Sequence, residues 1–132
     1  MNILTGKIAS VTPSGELSLV GVSCADLLIT AIVIDTPETA PYLKPDTTVK
    51  LLFKETEVII GKGIDHQISL RNQVMGTITG LEKGTLLSKV TITTKVGEIN
   101  SIITTQAANQ LGLNIGAEAC AMIKTNEIML SE

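Results

Sequence analysis

The chain has 132 residues, 44% of them hydrophobic but only 2% aromatic, which is enough for one ordinary domain or two very small ones around an aliphatic core. A chain of this length buries roughly 65–70% of its unfolded surface, so a substantial core is attainable. The net charge of −3 argues against nucleic acid as a partner, because phosphate backbones are held by a basic field, but a small anion in one pocket depends only on the groups beside it.

Runs of β-branched and aliphatic residues predict strands at 3–11, 17–22, 27–34, 48–53 and 57–60, broken by Ser, Gly, Pro, Asp and Thr. Between the third and fourth, Thr36 is placed to cap a helical turn that begins with Pro37, and Pro41 keeps that turn short. Residues 61–67 form a linker with Gly61-Lys62-Gly63 as a flexible joint. Strands then recur at 74–81, 87–94, 98–104, 119–123 and 127–130. Before the fourth of these, Thr104 or Thr105 is placed to cap a short helix at 106–111, and Gly112 to stop it. Short strands at regular spacing point to barrels or sandwiches.

The two halves are related by a shift of 70 positions without a gap. Gly6 falls on Gly76, Ile8 on Ile78, Leu17-Ser18 on Leu87-Ser88, Val20 on Val90, Ile29 on Ile99, Ile32 on Ile102 and Leu43 on Leu113. The block from Phe53 to Ile60 falls on that from Ile123 to Leu130 with its apolar positions in phase. Such a match is the signature of a tandem repeat, here residues 1–62 and 68–132. A half of this size with so few aromatics is marginal alone, so the two units are expected to pack on each other, and exposed strand edges favour association with further chains.

Chemistry-bearing residues are few. Cys24 and Cys120 each lie in an apolar run without CxxC spacing and are expected as buried small hydrophobes rather than a disulfide or metal pair. The one histidine, His66, lies in the linker, with no orienting motif for nucleophilic catalysis. Asp65-His66 is too small a cluster for a metal cation. Gly-rich phosphate loops are absent, and Tyr42 and Phe53 alone are too few aromatics for a stacking groove. No apolar run reaches the roughly 18 residues a membrane span needs, Met1-Asn2-Ile3-Leu4 carries no signal-peptide pattern, and the cytoplasm is the expected compartment.

What remains is a set of hydrogen-bond donors: Ser69-Leu70-Arg71-Asn72 at the start of the second repeat and Lys124-Thr125 near its end. Arg71 offers a planar fork to two oxygens of an oxyanion, Lys124 a point charge, Ser69 and Thr125 hydroxyls, and Asn72 an amide, or else order in its loop. From spacing alone, the same residues also fit a plain polar linker end with Lys124 capping a strand.

The stretch from Ser69 to Ile78 resembles the S-x-R-N-x-x-x-G-x-I opening of the Mop (TOBE) family of molybdate-binding domains, the molbindins and related domains of molybdate regulators and transporter ATPases. The resemblance continues through Ser88-Lys89-Val90-Thr91-Ile92, the turn and helix from Ile103 to Leu113, and the closing strands from Ala121 to Leu130. It implies an all-β fold of two tandem OB-like five-stranded barrels, each with a short helix. It further implies a ring in which oxyanions sit between barrels, two-repeat chains forming a homotrimer. Ser69, Arg71, Lys124 and Thr125 match family ligand positions, Asn72 completes the motif, and Thr104 lies in the segment that approaches the anion from a neighbouring barrel. The first repeat departs from the pattern. Only Asn2 survives of the opening motif, and Lys54 is followed by Glu55 rather than a hydroxyl residue. A carboxylate repels a dianion, so the first repeat is expected to be mainly structural.

The resemblance therefore implies a cytoplasmic binding protein for molybdate and tungstate, serving storage or homeostasis, with no catalytic residues, no cofactor beyond the anion, and no nucleic-acid or membrane partner. The alternative is a molybdate-sensing domain of a transcription regulator or transporter ATPase.

Overall fold

The computed structural model describes residues 1–64 and 66–132, so the Asp65 of the Asp65-His66 pair lies outside the described residues. The first repeat supplies β1 (Asn2–Ser14), β2 (Leu17–Cys24), β3 (Leu27–Val33), β4 (Thr48–Phe53) and β5 (Ile59–Gly61). The second supplies β6 (Asn72–Lys83), β7 (Leu87–Thr94), β8 (Gly97–Thr104), β9 (Glu118–Ile123) and β10 (Met129–Ser131), with helix α1 (Thr105–Leu111) after β8. Single 3-10 turns at Glu55–Glu57 and Thr125–Glu127 precede β5 and β10.

The alternation read from the sequence becomes the inward face of each sheet. Leu4 and Ile8 on β1, and Val74 and Ile78 on β6, are buried while their neighbours face outward. The buried side chains of both repeats form one continuous aliphatic cluster, with Phe53 its one fully buried aromatic ring. Both long strands carry a bulge at the same repeat position: the pairing of β1 with β2 shifts between Ile8 and Ser10, that of β6 with β7 between Ile78 and Gly80. A bulge bends and twists its strand, which curls each sheet toward closure. Gly76 follows from that curvature, because a Cβ there would lie 2.5 Å from the Thr93 carbonyl oxygen, and at the equivalent Gly6 it would lie 2.6 Å from that of Ser23.

The expected burial of the cysteines is met: Cys24 and Cys120 are both buried, and each is a free thiol. Burial pushes both thiols upward from their ordinary range, since the thiolate is the form that loses hydration.

The second-repeat helix forms as expected. The Thr104 hydroxyl accepts from the Ala107 amide at 3.1 Å, and Gly112, at φ 64°, closes the helix in the left-handed conformation. The first repeat has no counterpart helix. Thr36 starts a single turn, with the Ala40 amide donating to its carbonyl at 2.8 Å. Pro41 then disfavours the helical conformation at Ala40 and removes the next donor, so the turn does not propagate. The expectation of a short helix in each repeat holds only for the second.

The sheets cross the repeat boundary. One has the order β10-β4-β1-β2-β3 and the other β5-β9-β6-β7-β8. Each repeat donates its last strand to the other's sheet: Met129 and Leu130 pair with Leu52 and Leu51, while Ile59 and Ile60 pair with Met122 and Ala121. The two five-stranded units are thus clasped by an exchange of ends.

Candidate functional site

The antiparallel register of β6 with β9 sets Asn72 opposite Ile123. Continuing outward, Arg71 precedes Asn72 and Lys124 follows Ile123, so Ser69-Leu70-Arg71-Asn72 and Lys124-Thr125 converge on one end of the second sheet. Residues as much as 56 apart in sequence are thereby gathered by a single strand pairing. The turn that begins at Thr125 packs on β3 of the first repeat, so this end of the sheet is also a seam between the repeats.

Ser69, Arg71 and Lys124 are exposed and Thr125 is half-buried. Among the described residues, the side chains of Ser69, Lys124 and Thr125 make no hydrogen bond, and Arg71 spends one donor, from Nη1 to the Ile68 carbonyl at 3.2 Å. The loop beneath is held by Gln73, whose Nε2 donates to the carbonyls of Leu70 at 2.7 Å and His66 at 3.1 Å. His66 itself is a half-buried loop residue with Nε2 3.2 Å from the Gly63 carbonyl. The result is two cations and two hydroxyls at one end of the sheet, Ser69 and Arg71 on a tethered loop and Lys124 and Thr125 just past β9, an arrangement suited to a ligand that accepts hydrogen bonds.

Two of the expected site residues stand apart from this cluster. Asn72 is buried and faces the other repeat: its Oδ1 accepts from the Thr30 amide at 2.9 Å, and its Nδ2 donates to the Thr30 carbonyl at 2.8 Å. Thr104 lies at the far end of β8, where its hydroxyl caps α1 and it borders a groove with Thr56, Ile59 and Leu87. Within one chain it does not meet Arg71 or Lys124.

The equivalent position in the first repeat is built differently. Glu55 stands where the second repeat has Thr125, and its carboxylate is bonded to the Met1 amine. That bond, with a weaker attraction from Lys89, holds the Glu55 carboxyl below its ordinary range. An ionised carboxylate therefore occupies the place of a hydroxyl, as the sequence led one to expect.

The residue missed by the sequence reading is Thr30, the wall that receives Asn72. A signal was present, since Asn2 and Asn72 coincide under the repeat shift, as do Thr30 and Asn100, but only the packing pairs them crosswise.

The fold of two five-stranded units agrees with the comparisons to known proteins. The TOBE domain family matches residues 68–130. Molybdenum-pterin-binding protein 1 of Clostridium pasteurianum is 39% identical over 64 residues, spanning 48% of this chain and 94% of that protein. Molybdenum-pterin-binding protein MopB of Rhodobacter capsulatus is 30% identical over 105 residues, 78% of this chain and 39% of that one. The molybdate-bound crystal structure of the cytoplasmic molybdate-binding protein ModG superposes with a TM-score of 0.89 at 27% identity, covering 98% of this chain and 94% of that chain. The chain belongs to the Mop/TOBE family of molbindins.

Proposed function

We propose that this chain binds molybdate, and tungstate with it, and serves as a cytoplasmic storage or buffering protein rather than an enzyme. The observation that carries the reading is the convergence of Ser69, Arg71, Lys124 and Thr125 on one end of β6 and β9, where among the described residues Arg71 spends one donor on the Ile68 carbonyl and the other three side chains spend none. The kinship with proteins named for molybdenum and molybdate supports the choice of anion. Arg71 and Lys124 offset the charge of a dianion, the hydroxyls and loop amides take its remaining lone pairs, and no side chain coordinates the metal directly. Asn72 belongs to the site through the loop it orders.

The remaining wall comes from a second copy of the chain, which brings Thr104 to the anion within a homotrimer. Two apolar grooves related by the repeat support such association: Leu17, Ile34 and Met129 are exposed along one and Leu87 and Ile59 along the other. The dianion is then buried between chains, so binding and assembly reinforce each other. Among the described residues no helix is long and apolar enough to cross a membrane.

Calorimetry of anion-free protein with molybdate, tungstate, sulfate and phosphate tests the reading. Strong heats for the first two and weak ones for the others are expected; equal or absent heats for all four refute it. Sedimentation with and without molybdate tests the trimer, which should sharpen with the anion.

A further inference from the structure

The seam between the repeats holds two copies of one device. Strands β3 and β8 are the outermost strands of their sheets, so one side of each carries backbone groups without a ladder partner. At Thr30 on β3 both groups are met by the Asn72 carboxamide, at 2.9 Å and 2.8 Å. At Asn100 on β8 both are met by the Asn2 carboxamide, at 2.8 Å each. A carboxamide has the donor and acceptor of a peptide group, so each asparagine adds one rung of ladder to an edge of the other repeat. Both side chains are buried, at 2% and 4% exposure, where an unmet polar group is costly.

The two clamps differ in what they adjoin. Asn72 directly follows Arg71, and the loop before it is tied through the Ile68, Leu70 and His66 carbonyls. Asn2 adjoins the end of β4 where Glu55, bonded to the Met1 amine, takes the place that Thr125 has in the second repeat. We propose that Asn72 is a positioning residue for the anion site and not one of its ligands: by locking onto Thr30 of the first repeat it fixes the backbone from which Arg71 projects. The first repeat, though poor in anion ligands, thereby acts as the scaffold of the second repeat's site. This role rests on the anion-binding function proposed above.

The test compares Asn72→Ala with Asn2→Ala in the full chain, the second serving as an internal control that breaks the same contact away from Arg71. Three quantities are read: amide hydrogen exchange at Thr30 and Asn100, the urea midpoint, and the molybdate dissociation constant by calorimetry. Asn72→Ala should accelerate exchange at Thr30 and weaken molybdate binding by about tenfold or more. Asn2→Ala should accelerate exchange at Asn100 and lower the midpoint comparably, while its dissociation constant stays within about twofold of wild type. Unchanged affinity in Asn72→Ala, or an equal loss in both variants, overturns the positioning role. If Asn72→Ala does not fold, Asn72→Ser, which keeps one polar atom at the position, is read by the same three measurements. Failure of the wild-type chain to bind molybdate refutes the proposed function and the positioning role together, and the exchange data alone then decide whether the clamp forms.

Discussion

Arg71 carries its guanidinium at the surface and, among the described residues, makes a single internal bond, to the Ile68 carbonyl. Its removal should therefore separate binding from folding. Arg71→Ala is expected to cost about 1.5–3 kcal/mol of anion affinity, the range for a hydrogen bond to a charged group, while folding stability moves by no more than about 0.5 kcal/mol, as for other surface changes. Paired calorimetry and urea titrations check both halves, and unchanged affinity would remove Arg71 from the site. The cysteines give a pH prediction of definite sign. Burial raises both thiols above their ordinary value of 9.0 in the folded chain, so the unfolded chain ionises first. Their contribution to stability is whole below about pH 9 and declines as pH rises through the folded values. Thiol labelling near pH 8 should be slow in the native state and complete within the dead time in urea; rapid native labelling would contradict the burial. The donor set itself was legible in the sequence because S-x-R-N and Lys-Thr are contiguous motifs. The fate of Asn72 was not, because its partner Thr30 lies 42 positions away and no local pattern distinguishes an amide aimed at an anion from one aimed at a backbone.

At the scale of elements, the bulges and glycines of β1 and β6 set how tightly each sheet curls. Gly76→Ala would force a methyl group to within 2.5 Å of the Thr93 carbonyl and 2.6 Å of the Ile92 Cγ2, an overpacking that costs about 1–3 kcal/mol. Urea denaturation should show that loss, and wild-type stability in the variant would mean that the strands do not approach as closely as described. Strand positions were readable from alternation in the long strands β1, β6 and β7, where inward residues are buried between exposed or half-buried neighbours. In the first repeat the short turn read from Thr36-Pro37 forms, with the Ala40 amide bonded to the Thr36 carbonyl, and Pro41 stops it before it becomes the helix that the resemblance implied. In the second repeat Thr104 and Gly112 bracket seven residues without proline, and the helix forms.

At the scale of the molecule, the exchange of β5 and β10 makes each five-stranded sheet depend on both ends of the chain. The two repeats should unfold in one cooperative transition, with thermal and urea profiles coincident across probes; two resolved transitions would contradict the clasp. A fragment of residues 68–132 lacks the strand that covers β9 and so exposes an edge. It is expected to associate through its own β10, with a melting temperature that rises with concentration, whereas a stable monomeric fragment would show that the exchanged strand is dispensable.

By itself the sequence determined the repeat, the strand-rich barrels, the aliphatic core and the donor motif, because each is written in local spacing: a period of two for strands, a constant shift of 70 for the repeat, adjacent residues for the motif. Only the tertiary structure decided which sheet each terminal strand joins and which backbone each asparagine grips. The two repeats present nearly equivalent edges, so β5 and β10 fit either sheet by pattern. The choice between them is made by how the chain crosses the seam, and that geometry also places Thr30 against Asn72 and ties the second repeat's donors to the first repeat's edge.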